Sequence, residues 1–140
     1  MTDITLSQAD AVIEGALAEA RSLNLPPMTV AVLDKGGHLT ALKREDRSAN
    51  LRSDIAIGKA KGALGLGQNS RAMADRIEKV PYFFIAIAAL ANGNMIPVPG
   101  GVLIYDEARN VIGAVGLSGD SADNDEKCGL AGIAAAGLAA

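Results

Sequence analysis

Three charged residues, Lys59, Arg44 and Asp46, are the candidates for acid–base chemistry in this sequence. Lys59 shares a stripe of small residues with Ala56 and Ala63 on a predicted helix, since residues three and four apart lie on one helix face. Either its ammonium group faces an anion in a groove, or it is solvated while its stem covers alanine methyl groups. Arg44 and Asp46 end a predicted strand, where charged residues are often plain surface. Alternatively, Arg44 would bind a carboxylate and Asp46 would act as acid or base.

A pair of glycines, Gly100 and Gly101, precedes one apolar run, and Ser118 ends the next. Backbone without side chains allows a ligand or another chain to come close. The pair is either a ligand platform with N–H donors or a strand bend. Because no helix directly follows the glycines, the segment is not a nucleotide-binding loop. We expect Gly100, Gly101 and Ser118 to face a ligand.

The acidic residues Asp123, Asp125 and Glu126 surround the predicted start of the last helix. One interpretation is structural: acidic side chains in this position complement the helix dipole and cap the free N–H groups of the helix. A divalent-cation site is the alternative, but the spacing is not that of a calcium-binding loop. We predict no metal site, and we keep Asp125 and Glu126 as candidate ligand-binding residues.

One histidine and one cysteine complete the candidates. His38 follows a glycine pair at a strand start, which is typical of a turn residue, and an axial iron ligand is the alternative. Cys128 lies on an apolar helix face and is predicted to be a small buried hydrophobic residue. A single cysteine excludes an internal disulfide.

The elements that would position these residues follow the order α-β-β-α-α-α-β-β-α. Strands occur in hairpin pairs rather than βαβ units, which predicts an α+β sandwich, an antiparallel sheet flanked by helices. The predicted helix starts are Ser7 as N-cap, Ser53 or Asp54, Asn69 or Ser70, Pro81, and about Asn124.

The length, net charge and apolar content of the chain limit the functions that it could have. The length of 140 residues predicts one domain, residues 1–140. A net charge of −3 argues against nucleic acid as a partner, which needs a basic surface. The longest apolar stretch falls well short of the ~20 residues that a membrane helix needs. Without a basic and apolar leader, the sequence predicts a cytoplasmic protein with no membrane partner.

Several segments together resemble the GlcG/HbpS-like family, also called haem-degrading, and they cover essentially the whole chain in order. Each motif is weak alone and the set is specific. The segments are Met28 to Ala41, Ile57-Gly58-Lys59-Ala60, Pro99-Gly100-Gly101, Ile112 to Gly119, and Asp125 to Gly132.

The resemblance implies a profilin-like α/β/α fold and assembly into oligomers, from tetramers to octamers. Some members bind haem or iron, and one branch is the C-terminal domain of a cobalamin adenosyltransferase. Members typically carry Arg, Met, Asp, Gly, Ala where this chain has Arg44-Glu45-Asp46-Arg47-Ser48. This more charged edge of the predicted groove would suit a small anion better than a flat apolar macrocycle. The small residues of the last helix would allow close packing between helices, either of an oligomer or within one subunit (Ala131, Ala134, Ala135 and Gly137).

Two functional hypotheses follow. The first is a catabolic small-molecule protein, an isomerase, lyase or hydratase that needs no cofactor, with a groove lined by Lys59, Arg44 and the Gly100-Gly101 backbone. The alternative is a haem-binding or tetrapyrrole-binding oligomer without catalysis of its own, with His38 as axial ligand. The sequence leaves open whether the protein is an enzyme.

Overall fold

The computed structural model describes residues 2–140. Its elements follow the predicted order and confirm the α+β sandwich. The helices and strands are α1 (Leu6–Ser22), β1 (Thr29–Asp34), β2 (Leu39–Arg44), α2 (Leu51–Leu66), α3 (Ser70–Ile77), α4 (Pro81–Leu90), β3 (Gly101–Tyr105), β4 (Val111–Ser118) and α5 (Ala122–Ala135).

The four strands form one antiparallel sheet in the order β2-β1-β4-β3. Because side chains alternate along a strand, β1 is apolar on both faces. Val30 and Val32 pack in the core with α1 and α5, while Leu33 packs with Ala60 and Ala63 of α2. The sheet is therefore buried between two helical layers, and β2 lies at its edge.

The helix α2 lies unusually close to the sheet because two glycines face it. A Cβ atom on Gly101 would overlap the carbonyl group of Lys59, and one on Gly116 would overlap that of Ala56. Both glycines thus permit the helix to pack closely on the sheet. The small-residue stripe of α2 is thus covered by the sheet of the same chain.

Three predicted helix starts are wrong by two or three residues. Helix α1 begins at Leu6, because Thr5 and Gln8 form a reciprocal capping box in place of a Ser7 cap. Helix α2 begins at Leu51, ahead of Ser53. Helix α5 begins at Ala122, because Ser121 accepts a hydrogen bond from the Asn124 backbone.

The pair α3–α4 extends from the main body around a small cluster of Met73, Phe84 and Met95. Helix α4 begins at Pro81 as predicted, and it is apolar around its whole circumference. Phe84 is its one buried residue, so α4 leaves large apolar side chains in solvent. Within residues 2–140, no helix combines the length and apolar character needed to cross a membrane.

Candidate functional site

Lys59 lies at the centre of a buried polar cluster. Its side chain is only 3% exposed. Its Nζ donates to the Leu117 carbonyl at 2.8 Å and to Asp125 Oδ2 at 3.1 Å. The ammonium group therefore points between α2, β4 and α5, and it bonds to the chain itself.

The glycine pair is shaped around this lysine. Gly100 has φ +120, which favours glycine, and a Cβ there would lie 2.8 Å from Lys59 Nζ. The Gly101 amide donates to Ser70 Oγ at 2.7 Å. In this chain, the space that bare backbone leaves at Gly100 and Gly101 is filled by Lys59 and Ser70.

Burial and pairing act against each other in the Lys59–Asp125 pair. Burial lowers the pKa of Lys59, and the Asp125 carboxylate opposes this shift. Burial likewise raises the pKa of Asp125, opposed by Lys59 and by the Asp120 amide, which donates to Oδ1 at 3.0 Å. Desolvation is the larger cause in both, so the pair is costly to bury and each charge depends on its partner.

Two other predicted ligand-binding residues also have partners within the chain. Ser118 Oγ is buried and accepts from Arg52 Nη1 at 3.0 Å. Glu126 accepts from Arg71 Nε at 2.9 Å on the outer side of α5. The fold thus brings Ser118 and Asp125 to the Lys59 cluster, while Glu126 joins α5 to α3.

The other two predicted acid–base residues lie elsewhere. Arg44 and Asp46 line a cavity of about 540 Å³ at the end of β2, which Lys59 does not line. Arg44 Nη1 donates to the Ser48 carbonyl and to Asn50 Oδ1, both at 3.1 Å. Lys59, Arg44 and Asp46 therefore occupy two separate places, and the predicted shared groove is not formed.

His38 lies in the β1–β2 turn with its side chain 82% exposed. Its Nδ1 is 3.1 Å from Asp34 Oδ1. The pKa of Asp34 is lowered, chiefly by the hydrogen bond from the His38 backbone amide. An ionised carboxylate only accepts, so Nδ1 carries the proton of this hydrogen bond and Nε2 is left free. Asp34 was not predicted as a site residue, although it lies four residues before His38 across a glycine turn. That spacing is a local signal in the sequence.

A cavity of about 470 Å³ adjoins His38. Two lysines line it, Lys35 and Lys61, together with the end of α2 and the segment after α4. Much of the remaining lining is small, which leaves room for a flat molecule beside the imidazole. These other lining residues are Gly36, Gly37, Leu64, Gly65, Ala91 and Asn94.

Cys128 is fully buried, as predicted, and burial raises the pKa of its thiol to about 11. It therefore stays protonated and unreactive at neutral pH. Among residues 2–140, no group of three or more His, Cys, Asp or Glu side chains could hold a metal ion.

The sheet between two helical layers places the protein in the class of profilin-like α/β/α sandwiches. Comparison with known proteins identifies its family within this class. The family model for haem-degrading HbpS-like proteins matches residues 4–134, and the chain belongs to this family.

Two curated relatives and one solved structure illustrate the family. The chain is 32% identical to protein GlcG of Escherichia coli strain K12, over 84% of each chain. It is 31% identical to an uncharacterised 15.0 kDa protein from the dhaT-dhaS intergenic region of Citrobacter freundii, over 87% of this chain and 84% of the relative. The fold superposes on a crystal structure of a PduOC–haem complex with a TM-score of 0.88 at 20% identity, covering 99% and 98% of the two chains.

Proposed function

We propose that the protein binds haem, or a similar iron tetrapyrrole, in the cavity beside His38. The observation that carries the proposal is the Asp34–His38 pair, since ligating histidines commonly donate their second ring N–H to a carboxylate. Membership of the HbpS-like family and the fold shared with a haem-bound neighbour support it.

The residues around this cavity suit the parts of such a ligand. Asp34 would hold the imidazole through Nδ1 and so keep Nε2, the nitrogen that would bind iron, turned away from the carboxylate. Lys35 and Lys61 would pair with the two propionate groups. The small residues that line the cavity give a planar ring room to approach. When bound, the iron supplies redox chemistry and affinity for diatomic gases.

The first hypothesis, cofactor-independent catalysis, needs Lys59, Arg44 and Asp46 to converge on one substrate. Lys59 is buried and bonded to Asp125 and Leu117, and Arg44 and Asp46 line a different cavity. General acid–base catalysis requires a side chain within hydrogen-bond reach of the reacting atom. The geometry therefore favours the haem-binding proposal over this one.

Haemin titration followed by absorbance tests the proposal. We expect a Soret shift that saturates at one haem per chain. Asp34→Asn should weaken binding by about 10–100-fold, because the imidazole loses its orienting partner. Asp106→Asn is the matched control, since Asp106 caps the β3–β4 turn through the Asn110 amide in the same way. An unsaturable titration, or equal losses in both variants, would contradict the proposal.

We also infer that the protein forms homo-oligomers, in which α4 is covered. Tyr82, Ile85 and Leu90 are 85%, 67% and 80% exposed on this helix, and large contiguous apolar patches mark interaction sites. Helix α5 packs closely against α1 of the same chain, since a Cβ on Gly132 would overlap the Val12 carbonyl. Ala134 and Ala135 on this helix are exposed, so their packing in an oligomer stays a prediction.

Changing the α4 surface should therefore change the mass in solution. Ile85→Glu is expected to reduce the oligomer to smaller species in light scattering, because a charge would be buried at the contact. Leu39→Glu is the control, since Leu39 is an exposed apolar residue on a different element, the edge strand β2. A wild-type monomer, or an oligomer unchanged by Ile85→Glu, would argue against this interface.

A further inference from the structure

We propose a second ligand site, in the cavity at the end of β2, that binds a small carboxylate carrying a hydroxyl or ammonium group. This cavity of about 540 Å³ has the size of a small-molecule site. It lies at the far end of the β1–β2 hairpin from His38, so it is distinct from the haem cavity. The site is independent of the proposed haem-binding function.

The charges that line the cavity are not balanced. Four basic residues and two acidic residues line it. Two of the basic residues are already neutralised: Arg21 pairs with Glu45 at 3.1 Å, and Lys43 pairs with Glu14 on α1. Arg44 and Arg47 form no ion pair with any carboxylate of residues 2–140. Two guanidinium groups are thus available for an anion.

Hydrogen bonds hold the Arg44 side chain in place without neutralising its charge. Its Nη1 donates to the Ser48 carbonyl and to the Asn50 side-chain oxygen, both neutral acceptors. These bonds fix the plane of the guanidinium group, and Nε and Nη2 have no hydrogen-bond partner among residues 2–140. A planar edge with two parallel donors is the arrangement that binds a carboxylate in bidentate fashion.

Arg47 occupies an unfavourable backbone conformation. Its φ of +67 lies in the left-handed region, which glycine adopts at least cost. Its side chain forms no hydrogen bond or ion pair with the described residues that would offset this strain. Since no contact within residues 2–140 accounts for an arginine at this position, we assign its guanidinium group to the ligand.

The remaining lining residues specify the rest of the ligand. Asp46 has no basic partner within the described chain and would accept a hydrogen bond from a hydroxyl or ammonium group. Leu17 and Pro27 provide an apolar wall for a short aliphatic body. A carboxylate at Arg44 and Arg47 with a donor at Asp46 therefore matches the cavity.

Three compounds of similar size test each feature. In ¹⁵N NMR titrations, 3-hydroxybutyrate should shift the Arg44 and Arg47 signals with saturation. Butyrate, which lacks the hydroxyl group, should bind about tenfold more weakly, the scale of one lost charge-assisted hydrogen bond. The uncharged 1,3-butanediol should not bind. Shifts that stay linear in 3-hydroxybutyrate concentration would overturn the proposal.

Variants separate binding from folding. Arg47→Gly relieves the backbone strain, so it should fold as well as the wild type while binding 3-hydroxybutyrate about tenfold more weakly. Asp46→Asn should reduce the preference for 3-hydroxybutyrate over butyrate. Lys79→Met removes an exposed cation between α3 and α4 and should leave binding unchanged. Equal affinity in Arg47→Gly and wild type, or equal losses in Arg47→Gly and Lys79→Met, would overturn the site.

Discussion

Replacing Lys59 by alanine should lower the free energy of unfolding by about 3–5 kcal/mol, the cost of leaving a buried charge without its partner. Asp125 Oδ2 would lose the ammonium group that lies 3.1 Å away, in a place that solvent does not reach. The Leu117 carbonyl would lose a donor as well. Urea denaturation followed by circular dichroism measures this loss as a lower midpoint.

Two further variants make the measurement specific. Lys61→Ala removes the next lysine on α2, which forms no ion pair within residues 2–140, and its effect should stay within about 0.5 kcal/mol. The double variant Lys59→Met with Asp125→Leu removes both charges together. It should recover much of the lost stability, because a buried ion pair is often replaced by apolar residues at little cost. A Lys59→Ala protein as stable as the wild type would refute the buried pair.

This result would also decide how a functional loss in Lys59→Ala is interpreted. If the single variant loses ligand binding and the folded double variant keeps it, Lys59 acts through the fold. If both lose it while folded, the Lys59–Asp125 pair has a role in binding beyond stability. The comparison therefore tests whether the pair acts only through the fold.

The order of the elements and the fold could be predicted from the sequence, because local signals determine them. Gly67 in a left-handed conformation ends α2, and Pro81 begins α4, both as the residue types indicate. The closeness of α2 to the sheet has a sequence signal too. Small residues occur on both surfaces, at Ala56 and at Gly116, and the pair could have indicated helix–sheet packing rather than an open groove.

The separation of Lys59 from Arg44 could not be predicted, because it depends on strand order. In the sheet β2-β1-β4-β3, Lys59 reaches Leu117 on β4, while Arg44 ends the edge strand β2 on the far side of β1. The Lys59–Asp125 contact joins residues 66 positions apart. One sequence contains no signal for such long-range pairs, whereas the Asp34–His38 contact is local and could have been found.

His38→Ala should abolish saturable haem binding, raising the dissociation constant by more than about a hundredfold. Loss of the iron ligand itself should exceed the 10–100-fold cost of losing a residue that only orients it. The side chain is exposed, and within residues 2–140 its ring bonds to Asp34 alone, so its removal should leave the unfolding midpoint nearly unchanged. A haemin titration beside a urea denaturation of the same preparation measures both quantities.

Tyr82→Phe is the control for this variant, because Tyr82 is an exposed phenol on α4 and tyrosine also ligates haem iron in proteins. We expect it to bind haem like the wild type. Added imidazole should restore the Soret shift to His38→Ala, since the free base can occupy the position of the missing ring. Wild-type affinity in His38→Ala would contradict His38 as the ligand, and a loss confined to Tyr82→Phe would place the iron at α4 instead.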